Sequence, residues 1–253
     1  MSEKNRLQRE QEFQDARILE EDMSRKPAEK YYVLMQRPRD EYTHRVFQLS
    51  RERRLLEYGC SDGESTRAWA EQGAVTTGID LSPEAIRVAR ERAAAASLSI
   101  RYEVMDAESM TFHDHDFDVV AGTGILHHLD LSRAYAEIAR VLDDDGRAVF
   151  IEPMGHNPLI NLYRRLTPAM RSEDEHPLKT RDIRLAESFF ERVDCRYYNL
   201  FTLTSVPLRG TPLFRPLQTA LRALDSALFT LLPFTRRFAW MVLIECSRPR
   251  RQN

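Results

Sequence analysis

The chain predicts an α/β fold built on a doubly wound parallel sheet, and three observations carry that prediction. Residues 55–63, LLEYGCSDG, form a short apolar run that ends in an acid and breaks into a turn with two glycines. A second apolar run, Ala74–Ile79, ends in Asp80, about 20 residues past that turn, where nucleotide-binding α/β folds place a ribose-binding carboxylate. Beyond them, strand-like and helix-like segments alternate, which requires right-handed crossovers and a parallel sheet.

Residues 1–50 are rich in charge and read as helical, with Phe13, Ala16, Ile18 and Leu19 as one apolar stripe before Pro27 and Tyr31–Met35 as another after it. They predict a helical cap ahead of a domain spanning residues 51–253. Strands are expected near 53–58, 74–79, 99–104, 117–121 and 147–151, with helices near 64–72, 83–96 and 132–142. Ser82-Pro83-Glu84 supplies an N-cap and a first-turn proline to the second of these helices. Gly146 sits where a turn must feed the fifth strand. Lys179–Glu191 then reads as a helix, Val193–Leu200 as the sixth strand and Trp240–Cys246 as the seventh. Two insertions, residues 154–178 and 204–239, interrupt this pattern, the second with a helical stretch Leu217–Leu232 between Pro216 and Pro233.

A length of 253 residues with 42% hydrophobic content suits one globular domain with appendages. The net charge of −2 gives no electrostatic case for wrapping nucleic acid, so no nucleic-acid partner is expected. Cys60, Cys195 and Cys246 are widely spaced, which indicates neither a disulfide framework nor a zinc ribbon and fits a reducing cytoplasm. The first residues, MSEKNRLQREQEF, lack an apolar core, and no run approaches the ~18–20 apolar residues needed to span a bilayer. The chain is expected to be soluble.

On its motifs the chain resembles the class I S-adenosylmethionine-dependent methyltransferases over about residues 50–152. Glu57, Gly59, Cys60 and Gly63 match the family's first motif, while Ser61 stands where the family has its middle glycine. A serine there needs an acceptable φ, and its Cβ narrows the approach to a ligand. The resemblance implies a Rossmann-like seven-stranded, mostly parallel sheet with an antiparallel seventh strand between the fifth and sixth, and S-adenosyl-L-methionine as cofactor. In the second motif, GIDLSPEAI, it implies that Asp80 accepts both ribose hydroxyls, with Leu81 beside it. In the third, YEVMDAESM, it implies Asp106 for the adenine amino group and the Ala107 amide beside the ring. The fourth, FDVVAGTGILHHL, adds Gly122 and Ile125. Phe13, Asp15 and Arg17, followed by Lys30-Tyr31-Tyr32, resemble an element of a bacterial group of small methyltransferases, and Tyr32 is the tyrosine expected at the cofactor. A doubly wound domain for another nucleotide is the competing reading, but Gly59 and Gly63 give G-x-x-x-G where a dinucleotide fold wants G-x-G-x-x-G.

Methyl transfer from a sulfonium is an in-line displacement, so the acceptor atom must be held about 3 Å from the methyl and water excluded. A hydroxyl or thiol acceptor gains from a general base, and histidine has a suitable ordinary pKa. The candidates are His127 and His128 after strand four, Glu152 ending strand five, and His156, Asp174, Glu175 and His176 on the first insertion. Of these, His128, His156 and His176 are the expected catalytic residues. Each has a plainer reading: the histidine pair as packing, His156 as a turn closer, Ser172–Leu178 as a solvated acidic loop. His113–Asp116, HDHD, reads as a surface turn on the opposite edge. Glu152, His156, Asp174 and His176 could supply mixed ligands, but their spacing matches no metal motif, and no metal is expected.

From Arg209 to Arg251 eight arginines face only Asp225 and Glu245, and Leu217, Leu221, Leu224, Leu228 and Leu231 form one stripe. Such a helix meets an anionic membrane surface or an amphiphilic substrate, or else packs on the sheet or on a second copy in a homodimer. The expected activity is methyl transfer to a hydroxyl or amine of a small or lipid-linked metabolite. A non-catalytic cofactor-binding subunit and an RNA methyltransferase are the alternatives.

Overall fold

The computed structural model describes residues 3–19, 29–167 and 176–251. Seven strands form one sheet in the order β3-β2-β1-β4-β5-β7-β6. They are β1 (Arg54–Tyr58), β2 (Val75–Asp80), β3 (Arg101–Val104), β4 (Phe117–Thr123), β5 (Leu142–Pro153), β6 (Phe190–Tyr198) and β7 (Met241–Pro249). Strand β7 runs antiparallel to both β5 and β6, and the other pairings are parallel. This is the seven-stranded, mostly parallel architecture that the motifs imply.

Both faces of the sheet are covered, and period-two alternation sorts its side chains. Leu56, Val120, Phe150 and Ile244 point to one side, where α5 (Leu131–Val141) packs through Tyr135 and Ile138. Leu55, Val119, Val149 and Leu243 point to the other, against Trp69 of α3 (Glu64–Glu71) and Tyr42 and Val46 of α2 (Glu29–Ser50). Because neither face meets water, the central strands read as near-continuous apolar runs. Helix α2 is therefore part of the packed body, tied to β7 by the paired Arg45 and Glu245 at 2.6 Å. Helix α1 (Glu3–Leu19) is different: it lies across α4 (Pro83–Ala95) and the C-terminal strand edge.

Three expectations shift. Strand β6 starts at Phe190 rather than Val193, and the helix expected over Lys179–Glu191 shortens to α7 (Thr180–Leu185). A 3₁₀ turn at Ala186–Ser188 lets both Phe189 and Phe190 enter the core, which a continued helix would forbid. On β5 the parallel ladder with β4 breaks after Leu142 and resumes at Arg147, so Gly146 occupies a bulge where a Cβ would come 2.8 Å from the Asp143 carbonyl. Each insertion carries a helix among its described residues: α6 (Pro158–Leu166), capped by Asn157, and α8 (Phe214–Leu231).

Candidate active site

A cavity of about 520 Å³ opens at the C-terminal edge of the strands, where the order reverses between β1 and β4. Open α/β sheets bind ligands at this switch point. The glycine turn after β1 forms its floor. The Gly59 and Cys60 amides donate to the Ile79 carbonyl at 3.0 and 2.8 Å, pinning the turn to β2. Ser61 takes a φ of 48°, the left-handed region that costs a non-glycine residue about 1–2 kcal/mol. Its amide donates to Asp80 Oδ2 at 2.9 Å, and the Ser82 amide donates to Oδ1 at 2.9 Å. The hydrogen bond to Asp80 holds Ser61 in place of a glycine.

Three carboxylates reach this cavity from neighbouring strand ends: Glu57, Asp80 and Asp106. Burial pushes the Glu57 carboxyl up to about 8, although the Thr66 hydroxyl donates to it. Asp80 is also raised, first by burial and further by Glu10 and Asp15 on α1. Asp106 Oδ1 accepts the Glu108 amide at 2.9 Å, and the Ala107 carbonyl accepts the Tyr58 hydroxyl. Acceptors at three separated points suit a ligand with an ammonium, a ribose diol and an adenine amine, so the residues present fit S-adenosylmethionine. Cys60, Leu81, Ala107 and Ile125 also line the wall.

Gly63 and Gly122 do not line it. A Cβ on Gly63 would lie 2.5 Å from the Tyr102 hydroxyl, and one on Gly122 would lie 2.8 Å from Ile125 and Phe150. Both glycines serve close packing behind the site. Tyr32 lies on α2, with its side chain outside the described residues.

The loop after β4 is organised by one buried acid. Glu152 Oε1 accepts the Ile125 and Leu126 amides, each at 2.9 Å, and Oε2 lies 2.7 Å from His127 Nδ1. With Nδ1 donating to that carboxylate, the lone pair of His127 is left on Nε2. His127 lines the cavity, as does His128. The His128 Nδ1 lies 3.2 Å from Glu10, and its carbonyl accepts from Arg6 at 3.0 Å. Helix α1 thus roofs the cavity with Arg6, Glu10, Phe13 and Gln14, while Asp15 accepts the Ser82 hydroxyl. The side chain of Arg17 is outside the described residues.

His156 and His176 are placed off this wall. Asn157 caps α6 through Oδ1 and donates through Nδ2 to the Phe238 carbonyl at 2.8 Å, which fixes His156 in the turn before the helix. The His176 amide donates to the His127 carbonyl at 2.8 Å, but its exposed side chain borders an adjoining cleft that shares His127 and Leu129 with the cavity. Asp174 and Glu175 lie outside the described residues. Sequence reasoning named Glu152 and His127 but paired neither with the other. The signal was an acid ending β5 opposite a histidine after β4. Among the described residues, three donors spaced for a cation occur at His115, Asp143 and Asp144, exposed at the opposite sheet edge, with Arg251 and Arg54 already pairing the acids.

Residues 56–150 match the family model described as a methyltransferase domain. The chain is 32% identical over 97 residues to a ubiquinone biosynthesis O-methyltransferase of Coxiella burnetii, covering 38% of this chain and 42% of that one. It is 37% identical over 113 residues to a demethylmenaquinone methyltransferase of Chlorobaculum parvum, covering 44% and 45%. The match thus spans less than half the length of these relatives. Among solved structures, phosphoethanolamine N-methyltransferase 2 of Haemonchus contortus superposes with a TM-score of 0.59 at 18% identity, over 83% of this chain and 53% of that one. A SAM-dependent methyltransferase of Methanosarcina mazei gives 0.54 at 19%, over 80% and 96%. At these identities the likeness is one of fold.

Proposed function

We propose, from the premise that residues 56–150 form a class I S-adenosylmethionine-dependent methyltransferase domain, that the chain methylates a hydroxyl on a small, largely apolar compound, with His127 as the base. The hydrogen bond between His127 and the buried Glu152, at the cavity wall, carries this reading. When bound, the cofactor supplies a methyl group activated by a sulfonium. Asp80 and Asp106 hold the nucleoside, Glu57 faces the ammonium, and α1 excludes water. His127 accepts the hydroxyl proton at Nε2 while Nδ1–H stays on Glu152, so the developing imidazolium meets a fixed carboxylate.

The acceptor side of the cavity is apolar, formed by Met35, Ile151, Trp240 and Met241. Such a wall suits an aromatic or lipid-like body. The relatives named for ubiquinone and menaquinone methylation support an acceptor of that kind. We place the chain in the cytoplasm: its three cysteines are free, and no helix among the described residues is long and apolar enough to cross a membrane.

Incubation with methyl-labelled S-adenosylmethionine and matched phenol and amine panels tests the proposal. Label should appear on phenolic oxygen and vanish with H127A. Label on amines alone would overturn O-methylation, and cofactor binding with no transfer to any component of a metabolite extract would favour the non-catalytic subunit.

A further inference from the structure

A second cavity, of about 320 Å³, lies between α2, the end of β6 and α8, and shares no lining residue with the first. Four arginines line it: Arg37, Arg196, Arg222 and Arg236. The two carboxylates beside them, Asp225 and Glu41, are already engaged. Asp225 is buried and accepts the Leu200, Phe201 and Thr202 amides at 2.9, 2.7 and 3.1 Å, together with the Thr202 hydroxyl at 2.7 Å. Glu41 accepts the Tyr198 hydroxyl at 2.7 Å and pairs with Arg37 at 2.8 Å and Arg196 at 3.6 Å.

Arg222 is left over. Its guanidinium has no hydrogen bond or ion pair with a described residue, and burial, then the nearby Arg37, hold it below the usual arginine range. Arg236 donates from Nε to the Phe229 carbonyl at 2.8 Å and stands 6.0 Å over the Tyr197 ring. Four guanidiniums against two engaged carboxylates leave this open cavity with an excess of positive charge that an anion would neutralise. Planar forks held by an aromatic wall are the side chains suited to bidentate capture of a tetrahedral oxyanion.

We infer that this cleft binds a phosphate-class dianion, a phosphomonoester or a pyrophosphate, with Arg222 as anchor and Arg37 and Arg236 as flanking donors. A carboxylate needs a single fork, whereas three guanidiniums around one cavity suit a group with more than one negative charge and several oxygens. The hydroxyl-bearing Ser226 and Thr230 line the α8 wall of the same cavity. The inference does not depend on the methyl-transfer reading, because the two cavities are separate.

Calorimetry with pyrophosphate and sedimentation with phosphatidic acid vesicles, each on the whole chain, test it and distinguish a soluble phosphate from a lipid headgroup. In the arm that binds, R222Q should weaken affinity at least tenfold, R37Q should weaken it less, and R222K should restore part of the loss. Adenosylhomocysteine affinity should stay within twofold in all three variants, which also reports that they fold. Binding in neither arm, or equal binding by R222Q and the parent chain, would overturn the inference.

Discussion

His127 Nδ1 lies 2.7 Å from Glu152 Oε2, while the other oxygen of that carboxylate holds the Ile125 and Leu126 amides. One buried acid therefore sets both the path of the loop and the orientation of the imidazole it presents.

If Nε2 of that ring is the base, H127A should lower kcat about 10²–10⁴-fold and leave adenosylhomocysteine binding nearly unchanged. H128A should cost far less, since that ring faces Glu10 on α1. Equal losses from both variants would move the base elsewhere.

Glu152 has a structural role that His127 lacks. In E152Q the amide oxygen still accepts the Ile125 and Leu126 amides, while its NH2 donates to His127 Nδ1 and leaves the ring proton on Nε2, so stability should change little while kcat falls. E152A strands all three donors and should cost more. Denaturant unfolding of the two variants beside H127A separates these contributions, and equal stability of E152A and the parent chain would contradict the hydrogen-bond set.

With Glu57 facing the ligand ammonium, as proposed, cofactor binding should depend on pH. Its carboxyl is pushed up to about 8 from an ordinary 4.5, so the folded chain holds a proton there that the unfolded chain releases. Stability is thus highest below about 4.5 with respect to this group and falls as pH rises through about 8, by at most ~5 kcal/mol. A ligand ammonium favours the ionised form, so cofactor binding near pH 7 should release a proton. Calorimetry in buffers of different ionisation enthalpy should show this release, and E57Q should abolish it. A binding enthalpy independent of buffer in the parent chain would refute the assignment.

Gly63 matched a cofactor motif, yet its contacts are with Tyr102 and Ala89. G63A forces a Cβ into a space 2.5 Å from the Tyr102 hydroxyl at a φ of 73°, and should cost about 2–4 kcal/mol in thermal or denaturant unfolding. Whatever cofactor affinity survives at low temperature should be close to that of the parent chain. A stable G63A with weakened binding would return Gly63 to the site.

The sheet was legible because its strands are apolar on both faces and end in acids or glycines that no helix would place there. Leu55-Leu56 and Val119-Val120 needed no partner to be read as buried strands, and Glu57, Asp80 and Asp106 each end or follow a strand. The region after Pro153 was harder. The turn of β6 into the core depends on Phe189 and Phe190 finding a hydrophobic pocket made by residues far along the chain. The Glu152–His127 contact joins residues 25 apart through β4–β5 pairing, and no local pattern separates it from the equally plausible acid-histidine run at Asp174–His176. Helix α1 was readable as a helix, but its place over the cavity depends on single polar contacts such as Asp15 with Ser82.

Arg6 tests that roof. Its Nη2 lies 2.5 Å from Glu108 Oε1, a fully buried carboxylate, and its Nη1 donates to the His128 carbonyl at 3.0 Å, so one side chain ties α1 to two walls of the cavity. In R6A, Glu108 keeps only the Asp130 amide at 2.8 Å and Arg133 at 3.6 Å among described partners. Losing a charge-assisted hydrogen bond worth about 1.5–3 kcal/mol should free α1 far more than it unfolds the sheet, because α1 contributes little to the two main apolar clusters. Stopped-flow release of adenosylhomocysteine should quicken by about tenfold or more while its association rate changes little. Release at the parent rate would mean that α1 lies over the cavity without closing it.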